Sequence, residues 1–288
     1  MPSASANGIT VEYETAGEPG QPPLLLIMGV GGQLVAWDDG FVSTLVDRGF
    51  YVIRYDNRDV GRSTWLDEAG VPDLGAALAG KLEPAYLLSD MADDAAALLD
   101  ALGIGAAHVL GVSMGGMIAQ SLVIGHPARV RTLVSIMSTT GDRSVGQQHP
   151  EALSALLVPP PADREAAVEI AVKTWQVIGS PGFPFREDRV REKAALAFDR
   201  ANHPAGTARQ MVAIMASPDR TVALRSVSAP TLVVHGESDI LVDPSGGRAT
   251  AAAIPGAELW TVPGMGHDLP TELWDRLADR VAELARRA

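Results

Sequence analysis

Short apolar runs alternate with amphipathic stretches along most of this chain. Leu24–Met28 is unbroken and apolar, and Tyr51–Tyr55, Ala106–Leu110, Val130–Met137, Thr231–His235 and Glu258–Val262 read the same way. Runs of this length between turn residues are the pattern of strands buried on both faces. Ile9–Glu14 alternates like a strand and is followed by the turn Gly17–Gly20. Helical spacing marks Trp37–Arg48, Asp90–Leu102, a segment from Met117 to near His126-Pro127, Ser245–Ile254 and Glu272–Arg287. Strands alternating with helices at this spacing predict an α/β fold, a mostly parallel central sheet with helices on both faces.

The alternation breaks between Thr140 and Ser228. This stretch opens with Pro159-Pro160-Pro161 and then turns helical. Asp163 is placed to cap a helix running to Ile178, with Val168, Ala171 and Trp175 on one face. A second stripe holds Val190, Ala194, Ala197, Phe198 and Ala201, and a third Met211, Val212, Ile214 and Met215. The expected organisation is a core over 1–139, an inserted helical cap over 140–228, and a second core segment over 229–288.

The candidate chemistry sits where a strand meets a helix. Gly111-Val112-Ser113-Met114-Gly115 joins the run ending at Leu110 to the helix beginning near Met117. A serine between two glycines at such a junction is a nucleophile elbow, a turn so tight that the hydroxyl is left exposed. A serine needs a base to act as a nucleophile, and the base needs an orienting group. Of six histidines, His267 is the candidate base. It lies in Pro263-Gly264-Met265-Gly266-His267-Asp268, just after the last strand, and sites of open α/β sheets form at the carboxyl ends of strands. Asp239, in the loop after Thr231–His235, is the candidate acid, with Glu237, Asp243 and Asp142 as rivals. The next N–H, that of Met114, and a second from Met28–Gly32, assigned to Val30, are the candidate oxyanion donors. Met28, Gly29, Met137, Trp175 and Met265 are the candidate substrate-binding residues, with Met114 beside them in an apolar wall. Asp56, Arg58 and Asp59 read as an ion-pair and hydrogen-bond network holding a loop rather than as a site.

Composition narrows the partners. The 288 residues are 47% hydrophobic and carry a net charge of −12, which argues against nucleic acid or an anionic membrane as a partner. No apolar run approaches the ~18–20 residues that span a bilayer. The first residues show no secretory signal, so a cytoplasmic protein is expected. The chain has no cysteine, hence no disulfide, thiolate nucleophile or thiolate-bound metal.

Taken in order, Leu24–Gly32, Tyr55–Ser63, Gly111–Gly115, Gly236–Asp239 and Gly264–His267 resemble the α/β-hydrolase fold superfamily across nearly the full length. The chain is more closely similar to the aclacinomycin methylesterase group. The shared features are Met28-Gly29 in place of His-Gly, the Arg-Tyr-Asp-x-Arg-Asp-x-Gly-Arg-Ser turn from Arg54, and the Pro-Gly-Met-Gly-His-x-Leu-Pro ending from Pro263. The resemblance implies a serine esterase without metal or organic cofactor. Its partner would be a small-molecule ester, with methyl esters among the candidates. A carbon–carbon bond hydrolase, a perhydrolase and a ligand receptor with slow hydrolysis use the same residues and stay open as alternatives.

Overall fold

A computed structural model of the chain describes residues 1–78, 80–156 and 158–288. Among these residues, eight strands form one sheet: β1 (Ser3–Ala6), β2 (Ile9–Ala16), β3 (Pro23–Ile27), β4 (Tyr51–Tyr55), β5 (Ala107–Val112), β6 (Val130–Ile136), β7 (Thr231–Gly236) and β8 (Glu258–Val262). Their order is β1-β2-β4-β3-β5-β6-β7-β8. β1 and β2 run antiparallel, as do β2 and β4; every other pairing is parallel. The helices are α1 (Asp39–Asp47), α2 (Leu74–Leu78), α3 (Leu88–Ala101), α4 (Met114–Gly125), α5 (Pro150–Leu156), α6 (Arg164–Ile178), α7 (Glu187–Arg200), α8 (Pro204–Ala216), α9 (Thr221–Leu224), α10 (Ser245–Ala253) and α11 (Trp274–Ala285).

The apolar runs are continuous because both sheet faces are covered. Leu25 and Ile27 of β3 pack with Ile53, Val109 and Leu133 under α3 and α4. Leu24 and Leu26 point the other way and pack with Val52, Leu110 and Val134 under α1 and α11. Alternate residues of one strand therefore feed two separate cores. The parallel register Leu26↔Leu110↔Val134↔Leu232 brings the carboxyl ends of β3, β5, β6 and β7 to one edge.

Two differences from the sequence reading have clear causes. β1 is built of Ser-Ala-Ser-Ala, too small and polar to register as a strand, and it is held by pairing with β2. The two residues between them, Asn7 and Gly8, take φ of 49° and 78°, the conformation of an Asn-Gly hairpin turn. The helix expected over Trp37–Arg48 begins two residues later, because Asp38 caps it by accepting from the Gly40 N–H at 2.9 Å.

Between β6 and β7 lie α5 to α9. Asp163 caps α6 through the Ala166 N–H at 2.8 Å. α9 packs against α4 and α10, so Leu224 and Val227 join the core beneath the sheet. α7 and α8 are joined to the core by the loop after β4. Asp56 is fully buried, accepts from the Leu34 N–H at 2.7 Å and pairs with Arg200 of α7 at 2.7 Å. Asp59 binds Arg209 of α8 through two hydrogen bonds, 2.7 and 2.8 Å. Arg58 makes two bonds of 2.6 Å to Asp94 of α3. These pairs are buried and hydrogen-bonded to one another, and among the described residues Arg200 Nε is the one side-chain nitrogen of the three pairs that is buried without a partner, which fits a structural network.

Candidate active site

The site is built at the carboxyl ends of β5, β7 and β8. Ser113 links β5 to α4 with φ 55° and ψ −122°, a backbone state that costs a non-glycine residue roughly 1–3 kcal/mol. The surroundings hold it there. Its N–H donates to the Ile136 carbonyl at 2.9 Å, and its carbonyl accepts from the Gly116 N–H at 2.9 Å and the Met117 N–H at 3.2 Å. Close approach explains the flanking glycines: a Cβ on Gly111 would stand 2.1 Å from the Gly115 carbonyl oxygen, and one on Gly115 2.0 Å from that of Ile27.

His267 and Asp239 meet this serine. His267 Nε2 lies 3.0 Å from Ser113 Oγ, and its Nδ1 lies 2.7 Å from Asp239 Oδ2. A carboxylate only accepts, so Nδ1 carries the proton and Nε2 is free to accept from the serine hydroxyl. Asp239 is itself fixed, since Oδ1 accepts the Leu241 and Val242 N–H groups at 2.9 Å each. Burial by itself would raise the Asp239 carboxyl. The His267 charge and the hydrogen bonds from His235, His267 and Val242 outweigh it and hold the group well below the usual carboxylate range. Asp239 and His267 are buried while Ser113 is half-buried, so the hydroxyl is the accessible member.

None of the rival acids contacts His267. Asp142 is bonded to Ser144, and Asp243 accepts the Ser245 N–H at 2.8 Å beside α10. Glu237 is exposed. Four of the other histidines have partners outside the site: His108 bonds Thr132 at 2.8 Å, His126 bonds Asp93 at 2.6 Å, His149 lies 3.9 Å from Asp243, and His203 stacks on Trp65 with centroids 4.1 Å apart. His235 lies behind Asp239, with Nε2 bonding the Val242 carbonyl at 2.8 Å and standing 3.5 Å from Asp239 Oδ2, so it supports the acid and does not reach Ser113.

The loop after β3 lies against the serine. A Cβ on Gly29 would stand 3.2 Å from the Ser113 Cβ, so a side chain there would crowd the serine. Among the described residues, neither the Val30 nor the Met114 N–H has a hydrogen-bond acceptor. Met28 is half-buried beside them, but Met137 and Met265 are enclosed in the core under α11, and Met114 in the core under α3. These three form the floor beneath the site and present no open apolar wall. Trp175 packs against Ala152, Ile178 and Leu241 where the cap region meets the core. A cleft of about 810 Å³ lies elsewhere, lined by Trp37, Asp38, Arg54, Arg189 and Lys193 among others, and none of the candidate site residues borders it.

The segment after α6 is stitched to the histidine loop. The His267 N–H donates to the Ile178 carbonyl at 2.7 Å, and the Gly182 N–H to that of Gly264 at 2.8 Å. Ser180 Oγ accepts the Gly266 N–H at 2.8 Å and donates to Asp268, whose carboxyl burial pushes up. Gln210 of α8 and Asn57 contact the Met28–Gly32 loop in the same manner. A lone amide in a helix or turn carries no sequence signal for such a contact, and the reading from sequence missed both. Among the described residues, no group of three or more His, Cys, Asp or Glu could hold a metal ion, and no helix is long and apolar enough to cross a membrane.

A serine held at positive φ, with a histidine and a buried aspartate in line, at the strand ends of a sheet of this topology, defines a class. The chain belongs to the alpha/beta hydrolase fold family, whose model matches residues 22–272. It is 32% identical over 303 residues to the rhodomycin D methylesterase DauP of Streptomyces sp. strain C5, covering 97% of this chain and 96% of that one. It is also 32% identical to the rhodomycin D methylesterase DnrP of Streptomyces peucetius, with the same coverage. The enol-lactonase of Burkholderia xenovorans LB400 superposes with a TM-score of 0.73 at 23% identity, covering 99% of this chain and 100% of that one.

Proposed function

We propose that this protein is a serine carboxylic-ester hydrolase working through an acyl-enzyme. Ser113 Oγ attacks the ester carbonyl carbon while His267 Nε2 takes its proton. Asp239 keeps the imidazole in the required tautomer and stabilises its charged form. The Val30 and Met114 N–H groups receive the carbonyl oxygen as it becomes negative. Collapse of the tetrahedral species breaks the C–O bond, and His267 returns the proton to the leaving alcohol. Water, deprotonated by His267, then attacks the acyl carbon and releases the acid and free Ser113. None of these steps calls on a metal or an organic cofactor.

The observation that carries this reading is the line Ser113 Oγ–His267 Nε2–Asp239 Oδ2, at 3.0 and 2.7 Å. The methylesterase names of the 32% identical relatives favour a methyl ester of a largely apolar, medium-sized acid as substrate. Residues 140–228 act in this reading as the cap that selects it, with Met28, Gly29 and Trp175 on the substrate path. The cytoplasmic location expected from the sequence belongs to the same reading.

The test is a fluorophosphonate probe followed by peptide mapping, alongside a panel of p-nitrophenyl and methyl esters. Labelling at Ser113 with multiple turnover is expected. A single slow burst without turnover would favour a ligand receptor instead.

A further inference from the structure

The loop carrying the Val30 N–H is gripped from the cap region by one side chain. Gln210 lies on α8 and is fully buried. Its Oε1 accepts the Gly31 N–H at 2.8 Å, and its Nε2 donates to the Arg58 carbonyl at 2.8 Å. The two partners fix the orientation of the amide, since one must be met by an acceptor and the other by a donor. A carboxylate would lose the donor, and an apolar side chain would lose both.

The Gly31 N–H is a significant place to hold. Gly29 to Gly32 form a tight turn closed by the Gly32 N–H on the Gly29 carbonyl at 3.1 Å, with Gly31 at φ 68°. In such a turn the peptide between the two central residues can face either way, and its direction sets the turn type. That peptide joins Val30 to Gly31, and its N–H is the one Gln210 binds. The next peptide toward the N-terminus carries the Val30 N–H. On its far side Asn57 Nδ2 donates to the Met28 carbonyl at 3.1 Å. The Val30 N–H thus lies between two anchored neighbours. Thr207, one turn earlier on α8, closes the gap: its Cγ2 stands 3.0 Å from the position a Gly31 Cβ would take.

We propose that Gln210 is a positioning residue for the oxyanion site, anchoring the Gly29–Gly32 turn on one side of the Val30 N–H as Asn57 anchors it on the other, so that this N–H is held in place before the ester arrives. The inference rests on the esterase reading of Ser113. Gln210 acts through the loop and not on the substrate. The oxyanion exists only in the tetrahedral species, so a loose Val30 N–H lowers kcat and leaves ground-state binding intact.

The test uses Gln210→Met, which keeps the volume and removes both bonds, and Gln210→Glu, which keeps the acceptor and removes the donor. kcat and KM are measured on p-nitrophenyl butyrate, with Tm recorded for each variant. The binding of an alkyl trifluoromethyl ketone, which forms an oxyanion adduct on serine, is measured in parallel. Gln210→Met should lower kcat about 10–100-fold with KM within about twofold, and weaken the ketone by a similar factor. Gln210→Glu should fall between it and the wild type. A kcat within about twofold of wild type in both variants would overturn the proposal. So would a lower kcat with undiminished ketone binding, because the damage would then lie outside the oxyanion site. If Gln210→Met does not fold, the same two criteria apply to Gln210→Glu. In either of these cases wild-type turnover and Ser113 labelling leave the esterase reading standing. A wild-type protein that neither labels nor hydrolyses any ester removes both.

Discussion

His267 donates its backbone N–H to the carbonyl of Ile178, the last residue of α6, at 2.7 Å. The proposed base is therefore tied to the segment between the sheet strands that the sequence marks as a cap. Side chains repeat the tie, with Ser180 bridging the Gly266 N–H and Asp268. The segment after α6 thus helps to set the position of the histidine.

This coupling makes Gly266 sensitive. A Cβ there would stand 2.2 Å from the Gly179 carbonyl oxygen, so backbone must move. Gly266→Ala should shift His267 by a fraction of an ångström and lower kcat/KM by about 10²-fold. The Tm should fall as well. Steady-state kinetics with a thermal melt checks this, and unchanged kinetics would show that the tie is dispensable.

Much of this arrangement was readable from the chain. The apolar runs of β3 to β8 announce a buried parallel sheet, and Gly111, Ser113 and Gly115 announce the turn because backbone leaves no room for larger residues. His267 and Asp239 could be read from their places after late strands. The missing parts depend on tertiary contact. β1 has no apolar signature of its own and exists through pairing with β2. Asp56 and Asp59 read as a network, but their partners Arg200 and Arg209 lie over a hundred residues away on amphipathic helices. The methionines misled for a related reason: strand-end position does not tell an open wall from a packed floor, and Met265 is fully enclosed.

Asp239 holds one His267 tautomer in place. Asp239→Asn can donate toward Nδ1, which turns the imidazole to the tautomer unable to accept from Ser113. Its kcat should drop about 10⁴-fold. Asp142→Asn, at a half-buried position bonded to Ser144 and away from His267, should stay within about twofold of wild type. Comparing the two variants on one ester decides between the acids.

His108 sets part of the acid limb of stability. Burial, with the Arg131 charge, pushes it down from 6.5 to about 4. The folded protein thus holds it neutral where the unfolded chain already binds a proton. Stability from this group is complete above about pH 6.5 and is lost as pH falls toward 4, amounting to at most about 3 kcal/mol. His108→Asn keeps a group able to bond Thr132 and removes the titration. Urea unfolding between pH 7 and 4 should show a shallower loss in the variant, and parallel curves would contradict the assignment.

The central claim concerns Ser113, and one comparison tests it most directly. Ser113→Ala removes only the hydroxyl oxygen, leaving the turn and its glycines in place. Single-ester turnover by this variant should fall about 10⁴–10⁶-fold against wild type, with Tm changed by no more than a few degrees. Turnover retained in a folded Ser113→Ala protein would contradict the mechanism outright.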